Sequence, residues 1–177
     1  AFALNFIRGI LEYDLRSKLI TDGSWQENTI ESIKRTSSIT FGVLGAGRIG
    51  SSVLLKAKAI GFNTVFYDPY KEQGYDKIVS AKRCNDLEEF LSKADIISIN
   101  AILTEETNSM VNNQFVKKMK NGSYLINTAR GKIIEDLDVF VDPIKEGKIS
   151  GIGLDVLPEE PPNKESELIT SWLNSES

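Results

Sequence analysis

The chain contains no histidine and a single cysteine, Cys84. One cysteine excludes an intrachain disulfide and suits a reducing compartment, so Cys84 reads as a buried or surface spectator. No apolar run approaches the roughly 20 residues of a membrane-spanning helix. The balance of 21 lysines and arginines against 25 acids gives a net charge of -4, which does not suggest an overall basic surface for nucleic acid and leaves room only for a local basic patch. We expect no membrane partner, no direct nucleic-acid contact and no metal. Ala1 to Ile10 is moderately apolar but lacks the basic flank and cleavage pattern of a signal peptide. Internal repeats and low-complexity tracts are missing too.

What is present is the make-up of a folded protein, with 41% hydrophobic and 26% charged residues in 177 positions, enough to bury a sizeable core. That length suits one domain, or one domain with an appendage. The first residue is not Met, and the opening residues read as the middle of a helix. The last stretch, Ser166 to Ser177, shows no clear strand or cap. These features lead us to expect a piece of a longer protein.

Apolar spacing predicts a helix over residues 1 to about 20, through Phe2, Leu4, Phe6, Ile7, Ile10, Leu11, Leu15 and Leu19. Asp22-Gly23-Ser24 then reads as a turn, and 25–38 as a connector. From Ile39 the pattern changes. Short apolar runs without alternation, as in strands buried on both faces, are expected at 39–44, 64–67, 95–100, 123–127 and 151–156, with a short one at 78–81. Helices are expected at 48–60, 87–92 (capped by Asn85 or Asp86), 113–119 and 136–146. Pro143 should kink or shorten the last of these. Strands alternating with helices imply an α/β fold of the Rossmann type, a doubly wound parallel sheet, here preceded by an N-terminal helix.

The chemistry starts at Gly45-Ala46-Gly47-Arg48-Ile49-Gly50, a G-x-G-x-x-G between a buried strand and an amphipathic helix. The first glycine permits the tight turn, the second lets a pyrophosphate approach the backbone, and the third lets helix and strand pack closely. The helix end then offers free N–H groups and about half a positive charge. Standing alone, such a motif also fits a glycine-rich turn. The second strand, however, ends in Asp68, at the place where this fingerprint carries a ribose-binding acid. Asp68 can accept hydrogen bonds from both adenosine ribose hydroxyls and repel a 2′-phosphate, which points to NAD over NADP. It also fits a turn before Pro69.

At these residues the sequence resembles the NAD-dependent D-isomer-specific 2-hydroxyacid dehydrogenases, and within them the branch of the C-terminal-binding-protein corepressors. The likeness runs through Gly42 to Gly50, Lys56 to Asn63 and Phe66 to Tyr70. It continues in Met119 to Gly122, Asn127-Thr128-Ala129-Arg130-Gly131, Glu146 to Ile149 and Leu154 to Pro161. It implies a domain plan in which 1–38 is the crossover helix and connector, 39–162 the NAD-binding domain, and 163–177 the start of a return to a substrate domain. It also implies roles. Arg130 would hold the substrate carboxylate through two parallel hydrogen bonds. Glu160 would tune a catalytic histidine, and Asp155 would contact the nicotinamide side. Ala101, Thr107, Thr128 and Ala129 would line the cofactor beside the glycine loop and Asp68.

The chain also departs from the family pattern. Asn100 and Ile102 stand where the family has a His–Pro pair, and the resemblance implies that the family's acid–base histidine would fall beyond Ser177. Taken without the resemblance, Arg130 fits a surface charge and Glu160 a solvated loop.

Three functions compete at this point. One is a dehydrogenase, a homodimer acting on a small 2-oxo or 2-hydroxy acid. Another is an NAD(H)-sensing corepressor. The third is an α/β domain whose nucleotide site has decayed. The resemblance suits a cytoplasmic location, or a nuclear one.

Overall fold

The structure is a computed structural model and describes Phe2, Ala3, Thr21, Gly23 and residues 35–174. Six parallel strands form one sheet: β1 (Thr40–Leu44), β2 (Asn63–Tyr67), β3 (Lys82–Arg83), β4 (Ile96–Ile99), β5 (Ser123–Asn127) and β6 (Ile149–Leu154). Their order is β3-β2-β1-β4-β5-β6, with every neighbouring pair parallel. The helices are α1 (Arg48–Ile60), α2 (Tyr75–Val79), α3 (Leu87–Lys93), α4 (Asn113–Lys118), α5 (Val141–Lys145) and α6 (Glu167–Leu173). This is the Rossmann-type doubly wound sheet that the sequence implied, with the winding reversing between β1 and β4.

Burial explains why the strands read as continuous apolar runs. Phe41 and Val43 of β1, Phe66 of β2, Ile96 of β4 and Ile126 of β5 pack on one face with Leu54 and Ala57 of α1 and Val79 of α2. Their strand neighbours Leu44, Val65, Ile97 and Leu125 pack on the other face with Phe90 and Leu91 of α3 and Phe115 and Val116 of α4. Both faces are covered, so alternate positions are equally apolar. Gly42 lets α3 approach β1, since a Cβ there would lie 2.7 Å from Ala94 Cβ and 2.8 Å from the Phe90 ring.

The helix ends follow local chemistry. Gly61, with φ +103°, ends α1. Its N–H reaches Lys58 O at 2.9 Å, and the Phe62 N–H reaches Ala57 O at 3.1 Å, the Schellman arrangement. Asp86 is the side chain that caps α3, accepting from Glu89 N–H at 2.7 Å.

Three expectations need correction. The segment expected as a strand at 78–81 begins in a helix, because α2 spans Tyr75–Val79 and the strand comes later, at Lys82–Arg83. Gly74 (φ +88°) opens that helical turn and Ser80 (φ 50°) closes it, so the chain reverses before it joins the sheet. Ile78 is exposed and Val79 buried. The expected helix 136–146 is a 3-10 turn, Leu137–Phe140, followed by α5. Pro143 therefore sits in the first turn of a helix, where its missing N–H costs nothing. The last strand runs over Ile149–Leu154, earlier than the expected 151–156.

Of the expected N-terminal crossover helix, only Phe2 and Ala3 are described; both are helical and pack against the Phe41 face of the core. The remaining apolar positions of that expected helix, from Leu4 to Leu19, lie outside the described residues. Gly23 is in a turn. Among the described residues, no helix is long and apolar enough to cross a membrane.

Candidate nucleotide-binding and active site

Every sequence-derived candidate lies just beyond the carboxyl end of a strand. Gly45 to Gly50 follow β1, Asp68 follows β2, and Ala101 and Thr107 follow β4. Thr128 to Arg130 follow β5, and Asp155 and Glu160 follow β6. Parallel strands put these loops on one edge of the sheet, around the point where the winding reverses, which is where open α/β sheets hold ligands.

The three glycines of the first loop differ in what a side chain would meet. At Gly45 (φ +88°) a Cβ would lie 2.8 Å from the Ala101 backbone, so the loops after β1 and β4 touch there. At Gly50 it would lie 2.0 Å from Gly45 O, so the turn closes only around a glycine. At Gly47 it would meet nothing within 4 Å. The protein itself has no steric need for glycine at that place, and the open space fits a phosphate lying against the backbone. No side chain caps α1 at Gly47, so the helix end keeps its free N–H groups for a ligand. Arg48 and Ile49 project from this end and are exposed.

Asp68 is buried against this loop. Its Oδ2 accepts from Ala46 N–H at 2.9 Å, and its Oδ1 accepts from Tyr70 N–H at 3.0 Å. An ionised carboxylate has about four acceptor positions, so positions remain for hydroxyl donors. Arg83 holds the same segment from β3, donating to Asp68 O and to Glu72 O, each at 3.3 Å. Tyr70 donates to Glu106, which ties the loop after β2 to the loop after β4. That contact with the Glu106 carboxylate raises the Tyr70 phenol above its ordinary range.

The loop after β4 is built by its own threonines. Thr107 Oγ1 accepts from Thr104 N–H at 2.8 Å and donates to Ile102 O at 2.7 Å. Ile102 is exposed. At the end of β5, Asn127 is fully buried and turns the chain outward. Its Oδ1 accepts from Ala129 N–H at 3.0 Å, and its Nδ2 donates to Arg130 O at 2.9 Å. Thr128 and Arg130 are thereby presented to solvent. Gly131 brings this loop against the loop after β6, since a Cβ there would fall 1.7 Å from Leu157 O. In that second loop Asp155 is exposed, and Glu160 folds back to accept from Leu157 N–H at 3.0 Å. The Arg130 guanidinium donates to Ala129 O at 2.7 Å. Among the described residues it makes no ion pair with Glu160.

Four residues that shape the site were not among the candidates: Ser51, Tyr75, Arg83 and Asn127. Ser51 could have been noticed as a hydroxyl in the first helical turn. Tyr75 could not, because its segment read as part of a connection to a strand. A groove of about 530 Å³ between α4 and α5, lined in part by Lys117, Asp142, Pro143 and Lys148, contains none of the candidates. The convergence of backbone donors and carboxylates marks the site better than depth does.

The family profile for "D-isomer specific 2-hydroxyacid dehydrogenase, NAD binding domain" matches residues 1–173. The chain belongs to that family. Among its relatives is C-terminal-binding protein 1 of Caenorhabditis elegans, 35% identical over 144 residues, which are 81% of this chain and 20% of the relative. D-3-phosphoglycerate dehydrogenase of Methanocaldococcus jannaschii is 34% identical over 148 residues, 84% of this chain and 28% of the relative. The solved D-lactate dehydrogenase of Aquifex aeolicus, complexed with NAD and lactic acid, superposes with a TM-score of 0.74 and 28% identity. That match covers 99% of this chain and 50% of the other. The family's domain is an NAD-binding domain, and its members spend further length on parts this chain does not span: it covers at most half of each of these three relatives.

Proposed function

We propose that the chain binds NAD(H) along the carboxyl edge of its sheet and serves an NAD-dependent 2-hydroxyacid dehydrogenase. In this reading residues 39–162 are the binding domain, 1–38 the crossover helix and connector, and 163–177 the start of the return to a substrate domain. The supporting observation is the loop after β1, where the uncapped end of α1, the open space at Gly47 and the Asp68 carboxylate bonded to Ala46 N–H come together. Gly45 to Gly50 would hold the pyrophosphate, and Asp68 the adenosine ribose. Ala101, Thr107, Thr128, Ala129 and Asp155 would line the rest.

NAD(H) supplies or takes up the hydride when bound. Arg130 would fix the carboxylate of a small 2-oxo or 2-hydroxy acid, because a planar guanidinium matches a carboxylate through two hydrogen bonds. Glu160 would hold a proton-transferring histidine in orientation. The chain contains no histidine, so it should bind NADH without turning over substrate.

Fluorescence titration of the chain with NADH tests the binding. Loss of 340 nm absorbance by a longer parent, across a panel of 2-oxo acids, tests the reaction. No turnover on any of them would overturn the enzymatic part. The likeness to a C-terminal-binding protein supports a second reading, an NAD(H)-sensing corepressor. Sedimentation with and without NADH tests it, since a sensor of that kind changes its association with nucleotide. In either reading the protein would act as a homodimer, in the cytoplasm or the nucleus. The single, buried Cys84 suits that compartment.

A further inference from the structure

We infer that Tyr75 is a positioning residue for the phosphate-binding loop, acting through Ser51. The inference rests on the dinucleotide reading above. Ser51 lies in the first turn of α1, and its hydroxyl sits 2.9 Å from Ala46 O and 2.7 Å from Gly47 O. Those are carbonyls of the glycine loop. The Tyr75 phenol lies 2.7 Å from the same Ser51 Oγ. A serine hydroxyl has one proton. With that proton directed to a loop carbonyl, the phenol is the donor to Ser51. The chain of bonds therefore runs from Tyr75 to Ser51 to the Ala46–Gly47 peptides.

Tyr75 is itself held from two sides. Its ring meets the fully buried Phe66 of β2 edge-on, with centroids 6.1 Å apart and planes at 74°. On another side the Lys71 ammonium lies 4.6 Å from the ring centre. Both contacts are ones that proteins use to fix an aromatic ring. α2 spans only Tyr75–Val79, yet in this way it braces the loop at its most open point, beside Gly47. The loop carbonyls must stay turned away from the crevice if its N–H groups are to face a pyrophosphate. The Ser51 bond holds them so.

The test uses Tyr75→Phe, Ser51→Ala and the double variant in the 177-residue chain, each titrated with NADH. Tyr75→Phe removes one oxygen and keeps both ring contacts. The thermal midpoint without nucleotide should fall by no more than about 1–6 °C, the loss of one neutral hydrogen bond, while NADH binding by the folded variant weakens by about 3- to 10-fold. Because Tyr75 acts through Ser51, the double variant should bind no more weakly than Ser51→Ala alone. Unchanged NADH affinity in Tyr75→Phe would overturn the inference, and so would additive losses in the double variant. If Ser51→Ala does not fold, Tyr75→Phe decides by its affinity measured well below its midpoint. A wild-type chain that fails to bind NADH sinks the dinucleotide reading instead, a result distinct from either of these.

Discussion

Replacing Asp68 by alanine separates two jobs that one carboxylate is proposed to do. In the structure both oxygens are engaged by backbone donors, Ala46 N–H at 2.9 Å and Tyr70 N–H at 3.0 Å. About two of the four acceptor positions are left for ribose hydroxyls. A hydrogen bond to a charged group is worth about 1.5–3 kcal/mol, so losing the ribose contact should weaken NADH roughly 10- to 100-fold. Losing the loop contacts should also lower the thermal midpoint, by about 2–4 °C per kcal/mol in a chain of this size. Affinity for NADH alone confounds the two losses. ADP and 2′-deoxy-ADP separate them, measured by competition with NADH. Wild type should prefer ADP over the deoxy form, and Asp68→Ala should bind both alike. The preference for NADH over NADPH should shrink in the same variant, because the carboxylate that repels a 2′-phosphate is gone. If wild type and variant discriminate ADP from 2′-deoxy-ADP equally, Asp68 is a loop support and not a ribose ligand.

Glycine substitutions provide a matched pair. Gly131→Ala drives a Cβ into Leu157 O; overpacking of this kind costs about 3 kcal/mol, a midpoint drop of roughly 6–12 °C by calorimetry. Gly47→Ala has free space and an ordinary φ of -71°, so the midpoint should stay within about 2 °C. Its NADH affinity should nevertheless fall by roughly tenfold or more, because the methyl group occupies the phosphate approach. Burial pushes the Cys84 thiol up to about 11. Native protein should therefore resist Ellman's reagent at pH 8 and react only on unfolding. The neutral thiol is favoured by the fold, so its contribution to stability is intact below the unfolded value near 9 and declines between 9 and 11. Urea titrations at several pH values follow that decline. The Asp138 carboxyl is lowered by the Ser166 hydroxyl, which lies 2.6 Å away. This contribution is present above the ordinary carboxylate range and lost as pH falls through the lowered value. Hydrogen exchange in α6 should accelerate there before it does in β1, and equal acceleration would refute the link.

The sequence carried the fold wherever one interaction dominates. Strands covered on both faces, such as Ile96–Ile99, have no polar side and read as apolar runs. A glycine that must adopt positive φ, such as Gly45 or Gly61, announces a turn. It failed where several weak signals compete. Ile78-Val79-Ser80-Ala81 has the composition of a strand, but Gly74 and Ser80 bend it into a helical turn first. Pro143 read as a helix breaker because the helix start was placed too early. In the candidate site the loop residues were legible because each has a local backbone reason. Tyr75 was not, since its meaning depends on Ser51, 24 positions away. The proximity of Gly131 to Leu157 was hidden for the same reason.

The reversal of winding between β1 and β4 leaves the molecule with a seam. Four register pairs join its halves there, from Phe41 opposite Ile96 to Leu44 opposite Ile99. Asp95 straps the amino end, accepting from Thr40 N–H at 2.8 Å through its side chain and donating its own N–H to Thr40 O at 2.9 Å. At the other end Asn100 N–H meets Leu44 O at 2.8 Å, directly below the glycine loop. A dinucleotide laid across that edge would act as a cross-brace, one end held by the β1–β3 half and the other by the β4–β6 half. Its binding energy would then appear as slower opening of both halves together, where a ligand confined to one half would protect only that half.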